Sequence, residues 1–251
     1  MGWLGKITFG AIGFALAGPL GAIAGAAFGH SIDAHEETFL KEEKEYLSQH
    51  EEVQMVFFVA AFSMLAKLAK ADGRVCEKEI QTVAQFMEED LQLNAETKKV
   101  AENIFREAVV STESFEDFAK QFYSHFSNQY GLIEIMLDVL IRISLADGDF
   151  SEQEERMILS AVEIFRVRSE DYLKLKSKYI LRSDSYHAVL GCDRSDSDAF
   201  VKKQYRKLVV EYHPDKIASK GMPEEFEKFS EAKFREIQEA YEIVCKERGI
   251  K

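Results

Sequence analysis

The sequence predicts an all-α protein, and three observations carry that prediction. Apolar residues recur at helical spacing through most of the 251 residues, with almost no period-two alternation of the kind a half-buried strand shows. The composition, 46% hydrophobic and 30% charged with only three prolines, is that of a folded, helix-rich chain rather than a disordered one. Residues 7–29 carry no charge at all. This length suits one or two compact domains with a sizeable core.

The uncharged run, ITFGAIGFALAGPLGAIAGAAFG, exceeds the roughly 20 residues a helix needs to cross a bilayer. Its glycines and Pro19 would weaken a helix in water and are tolerated in lipid, where neighbouring helices satisfy the released backbone groups. Residues 1–30 are therefore predicted to be a single transmembrane anchor. A cleaved leader with Ala24 and Ala26 at an A-x-A-like site, or a flexible glycine-rich leader, are the alternatives. Lys6 precedes the run while Lys41 and Lys44 follow it, which leans towards a cytoplasmic location for the bulk of the chain. Gly13, Ala17, Gly21, Gly25 and Gly29 recur every fourth residue along one ridge, a small-residue row that predicts a homodimer through close helix contact.

Residues 31–52 hold Glu36, Glu37, Lys41, Glu42, Glu43, Lys44 and Glu45 without Gly or Pro, and read as a charged helical connector. Residues 53–181 form an all-helical domain with an internal duplication. Phe58, Phe62, Leu65 and Leu68 line one helix, and a shift of 75 positions turns them into Ile133, Leu137, Leu140 and Ile143. The shift also carries Ala71-Asp72-Gly73-Arg74-Val75 onto Ala146-Asp147-Gly148-Asp149-Phe150. Gly73 and Gly148 can supply the positive φ that ends a helix, and Ser151 with Glu154 has the spacing of a capping box. Asp147, Asp149 and Glu154 crowd carboxylates in a manner faintly like a calcium loop. The glycine, however, comes too early and Glu154 sits on a helix start, so a cap-and-turn role is expected and no metal ligand set is assigned.

Residues 184–251 predict three helices. A short one in DSYHAVLG ends at Gly191. A second carries Val201, Tyr205, Leu208 and Tyr212 on one stripe, with Ser195 or Asp196 as its cap. A third carries Phe226, Phe234, Ile237, Tyr241 and Val244, with Pro223 in its first turn. The two stripes make an antiparallel hairpin. Pro214 must end the second helix, leaving His213-Pro214-Asp215 on a loop.

Several functions are excluded or disfavoured. A net charge of −12 opposes nucleic-acid binding. Cys76, Cys192 and Cys245 are far apart, with no CxxC pair, so neither a disulfide framework nor a cysteine zinc site is encoded and a reducing compartment is expected. His30, His35, His50, His125 and His187 are scattered and form no nucleophile–base signature, so no enzyme activity and no cofactor are predicted.

Two stretches carry family resemblances. The paired motifs KADGRVCEKEI and LADGDFSEQEE resemble the TerB-like helical domain, which is associated with tellurite resistance and suspected of metal binding. HPD at residues 213–215, preceded by YRKL and followed by EIQEAY, resembles the J domain of DnaJ-type co-chaperones. That resemblance implies an accessory protein, not itself an enzyme, that presents the HPD loop and second helix to a DnaK-type chaperone and stimulates its ATPase. The residues it implies are His213, Pro214 and Asp215, with Lys202, Lys203, Arg206 and Lys207 on the second helix. Pro214 would set the loop geometry, Asp215 would offer a carboxylate to an arginine, and His213 would supply a defined donor and acceptor. Neither a glycine/phenylalanine-rich linker nor CxxC modules accompany the motif. The order of span, TerB-like domain and C-terminal J domain resembles the DjlA-type, membrane-anchored branch of the DnaJ family, implying a single-pass protein of the inner membrane. The competing expectation is a TerB-type metal- or oxyanion-stress protein whose J domain is a secondary output.

Overall fold

The computed structural model describes residues 18–29, 48–73, 75, 77–146, 151–180 and 186–250, and among them every regular element is helical. The chain divides into two compact units, residues 1–127 and 128–251.

The first unit holds α1 (Gly18–Gly29), α2 (Gln49–Ala69), α3 (Glu77–Gln85), α4 (Ala95–Val110) and α5 (Phe115–Phe126), with one π-helical turn, Phe86–Asp90, following α3. The central helix is α2. Ser48 opens it with a capping box: its hydroxyl accepts from the Glu51 N–H at 3.3 Å while the Glu51 carboxylate accepts from the Ser48 N–H at 2.9 Å. This cap starts the helix ahead of Val53, inside the stretch expected to be connector; residues 31–47 lie outside the described residues.

By length and a hydropathy of 1.5, α2 could itself cross a membrane. Its side chains from Met55 to Leu65 are instead covered by neighbouring helices, the mark of a core helix that is apolar all round. Phe57 meets Phe122 and Phe126 of α5 edge-on, with ring centroids 5.6 and 5.9 Å apart. Such T-shaped contacts add to simple area burial.

Within the apolar N-terminal run, α1 turns Leu20, Ile23, Ala24, Ala27 and Phe28 inward against the other helices of this unit. The Leu20 N–H, left without an intrahelical partner near the helix start, donates to Gln121 Oε1 at 2.8 Å. Gly25 is exposed, and a methyl group there would meet nothing within 4 Å. Gly13 and Ala17 of the predicted row lie outside the described residues.

The second unit holds α6 (Tyr130–Ser144), α7 (Glu152–Ile164) and α8 (Ser169–Ile180), followed by α9 (Tyr186–Val189), α10 (Asp198–Glu211), α11 (Pro214–Ala218) and α12 (Glu224–Arg248). The order α2, α3, α4 recurs as α6, α7, α8, as the duplication predicts. Ile133, Leu137 and Leu140 are buried, and Ile143 is partly exposed. Gly73 has the expected positive φ, 90°. Asp147, Gly148 and Asp149 lie outside the described residues. Glu154 does what a capping residue does: its carboxylate accepts from the Ser151 N–H at 2.9 Å, and its own N–H donates to the Ser151 hydroxyl at 3.2 Å.

The last helices form the predicted hairpin. Val201 and Tyr212 of the α10 side are buried, as are Phe226, Ile237 and Val244 of α12, and Tyr205 stacks on Tyr241 with ring centroids 3.7 Å apart and planes 5° from parallel. Two caps differ from expectation. Ser197, not Ser195 or Asp196, caps α10, because Ser197 is the residue held in the extended conformation (ψ 151°) from which a side chain reaches the Phe200 N–H. Asp196 instead accepts from the Asp193 N–H. Pro223 stands one position before the first turn of α12, with ψ 139°.

Candidate functional site

The site is built where α10 stops. Tyr212 ends the helix and is buried, which fixes the position of the next residue. The His213-Pro214-Asp215 triad is not an open loop, as the sequence suggested. His213 is the N-cap of α11, and Pro214 occupies the first helical position, where its fixed φ and missing N–H cost nothing. Ile217, fully buried, pins this short helix to the hairpin.

His213 is oriented from two sides. Its Nδ1 accepts from the Asp215 N–H at 3.2 Å, so the neutral ring carries its proton on Nε2. Its ring meets Phe234 of α12 edge-on, with centroids 5.7 Å apart. The Asp215 carboxylate stands 3.9 Å from Nδ1, and its side chain is 94% exposed. The result is a fixed imidazole beside a carboxylate offered to solvent.

The four cations of α10 separate. Lys203 and Arg206 are exposed, and Val210, 55% exposed, continues their spacing towards His213. Lys202 is half-buried. Lys207 is half-buried and lies 3.3 Å from Glu211 and 3.5 Å from Asp171 of α8. Burial pulls the Lys207 ammonium down, but the carboxylates of Glu211, Glu134 and Asp171 outweigh it and hold the group above its ordinary value. Lys203, Arg206, Val210 and the triad thus share one surface, while Lys207 is turned to a neighbouring helix.

Sequence reasoning placed Phe234 on the α12 stripe but had no means of assigning it to His213. It also missed Arg248, which organises the opposite end of the hairpin. This side chain donates from Nε to His187 Nε2 at 3.2 Å, from Nη1 to the Asp196 carbonyl at 2.7 Å, and from Nη2 to the Asp193 and Arg194 carbonyls at 3.2 and 2.8 Å. One guanidinium fork so closes the turn that feeds α10.

Known protein families match this chain in three successive regions. Residues 1–49 match the family model for the co-chaperone DjlA transmembrane domain, residues 58–177 that for tellurite resistance protein TerB, and residues 185–250 that for the DnaJ domain. In that order they define a membrane-anchored J-domain co-chaperone. Full-length relatives narrow the class: the chain is 30% identical to the co-chaperone protein DjlA of Coxiella burnetii, 27% to that of Salmonella typhimurium and 26% to that of Escherichia coli (strain K12), with all of both chains covered each time. The chain belongs to the DjlA co-chaperone family. No solved structure matches at the same level of significance.

Proposed function

We propose that this protein recruits a cytoplasmic DnaK-type chaperone to the inner membrane and stimulates its ATPase, without being an enzyme itself. His213, Pro214 and Asp215 form the recognition element, supported by Lys202, Lys203, Arg206 and Lys207. The observation that carries the reading is the state of the triad: an imidazole held by Phe234 and by a backbone N–H, next to a carboxylate that is 94% exposed. His213, held in place while its side chain stays 46% exposed, is placed to meet a partner with little loss of conformational entropy on binding.

The domain boundaries proposed are 1–30 for the anchor, 31–52 for the connector, 53–181 for the TerB-like domain and 184–251 for the J domain. Residues 7–29 meet the lipid bilayer, and the glycine row pairs two copies of the chain. Partners are thus protein and lipid rather than nucleic acid, in keeping with a net charge of −12.

The test is the ATPase rate of a DnaK-type chaperone with the full chain in detergent or vesicles. His213→Gln and Asp215→Asn should each abolish stimulation while circular dichroism and melting temperature stay unchanged. Normal stimulation by both variants would refute the reading.

A second reading draws on the TerB match over residues 58–177: an ion-responsive protein with the J domain as output. Calorimetry with a divalent metal ion or an oxyanion would favour it if a tight isotherm appeared and Asp147→Asn removed it.

A further inference from the structure

Lys207 does not share the exposed face of its neighbours: besides Glu211 of its own helix, at 3.3 Å, a carboxylate of a different helix holds it at 3.5 Å. Asp171 of α8 is 4% exposed, and a carboxylate this deep is costly unless its charge is answered. Arg168 and the Tyr130 hydroxyl answer from within the second repeat, at 2.8 and 3.2 Å, and Lys207 answers from the hairpin. The arrangement occurs again deeper in the same unit. Asp138 of α6, fully buried, accepts from the Tyr179 hydroxyl at 2.7 Å and faces Lys233 of α12 at 3.9 Å. Lys233, 7% exposed, lies over the Tyr179 ring at 4.7 Å. Two buried carboxylates of the second repeat therefore each face a lysine of the hairpin that also pairs within its own helix, Lys207 with Glu211 at 3.3 Å and Lys233 with Glu236 at 3.2 Å.

We propose that these pairs form an autoinhibitory clamp: the second helical repeat holds the hairpin and withholds Lys207 from the cationic surface of α10. An acidic partner reaches Lys203 and Arg206 at once but must compete with Asp171, as well as with Glu211 of the same helix, to engage Lys207. The inference rests on the co-chaperone reading for the identity of that partner, a DnaK-type chaperone. The Asp138–Lys233 pair keeps the hairpin docked while the outer pair exchanges, because undocking would take the lysine away from the fully buried Asp138 carboxylate.

The experiment uses the full chain and two variants, Asp171→Asn and Lys207→Gln, in two measurements. Hydrogen exchange along residues 198–211, with no chaperone present, reads the clamp alone and should be faster in both variants. In the ATPase assay the two should move in opposite directions. Asp171→Asn lowers the half-saturating chaperone concentration by about three- to fivefold, the weight of one partly exposed ion pair, and Lys207→Gln raises it. Unchanged exchange in both variants, or an Asp171→Asn half-saturation equal to or above that of the parent, overturns the clamp. If the parent chain fails to stimulate at all, the co-chaperone reading falls on its own, and the exchange measurement still decides whether Asp171 holds the hairpin. Should Asp171→Asn fail to fold, Lys207→Gln carries the exchange measurement.

Discussion

The imidazole of His213 and the phenyl ring of Phe234 meet edge-on, with centroids 5.7 Å and planes 74° apart, across the two arms of the hairpin. Phe234 belongs to α12, so that helix sets the direction of the residue that follows α10 and caps α11. Phe234→Ala should cost about 1 kcal/mol of stability, the usual worth of an aromatic pair, and should reduce chaperone stimulation much more than that loss explains. Phe234→Leu should recover stability and only part of the stimulation. Equal activity for all three proteins, measured beside urea unfolding, would remove Phe234 from the site.

The exposed cations make a prediction about salt. Lys203→Glu with Arg206→Glu should weaken association with an acidic partner, and the defect should shrink as ionic strength rises from low salt to 0.15 M, where the screening length is about 8 Å. Surface plasmon resonance at several salt concentrations checks this. A defect of constant size would indicate misfolding.

Arg248 ties the hairpin to the turn before α10, since its loss removes the hydrogen bonds to the part-buried Asp196 carbonyl and His187 Nε2 as well as those to the Asp193 and Arg194 carbonyls. Arg248→Ala should destabilise the hairpin by about 2–3 kcal/mol. Arg248→Lys should not rescue it, because a single ammonium cannot reproduce the fork. Urea unfolding of the full chain, followed by exchange of amides 186–250, gives the measurement.

His187 adds a pH dependence. Burial, then the Arg248 guanidinium, push its imidazole below the ordinary value near 6.5. The unfolded chain therefore takes up a proton more readily than the folded one. The stability that His187 contributes is fully present above the unfolded value and is lost as pH falls through about 6.5 and on to the lower folded value. Melting temperatures between pH 7.5 and 5.5 should fall more steeply for the parent than for His187→Gln, whose amide oxygen can still accept from Arg248.

On α1, Gly25 presents open space. Gly21→Leu with Gly25→Leu should lower the yield of cross-linked dimer in native membranes several-fold and leave chaperone stimulation by the HPD site intact. An equal dimer yield would show that another surface pairs the chains.

Much of this protein is written in local pattern. The duplicated helices, the Ser151–Glu154 capping box, the positive φ of Gly73 and the proline that ends α10 depend on residues within a few positions of one another, where helical periodicity and capping chemistry have direct sequence signatures. The end of α10 at His213-Pro214 was legible for the same reason. The tertiary structure alone decided what surrounds these residues. His213 meets Phe234, Lys207 meets Asp171, Lys233 meets Asp138 and Arg248 meets His187 across separations that no periodicity encodes. A lysine on a helix reads the same whether it faces water or a buried carboxylate. Asp171 of α8 gives Lys207 a partner beyond Glu211 of its own helix while Lys203 and Arg206 stay exposed, because a carboxylate as deep as Asp171 needs a counter-charge and an exposed cation is already satisfied by solvent.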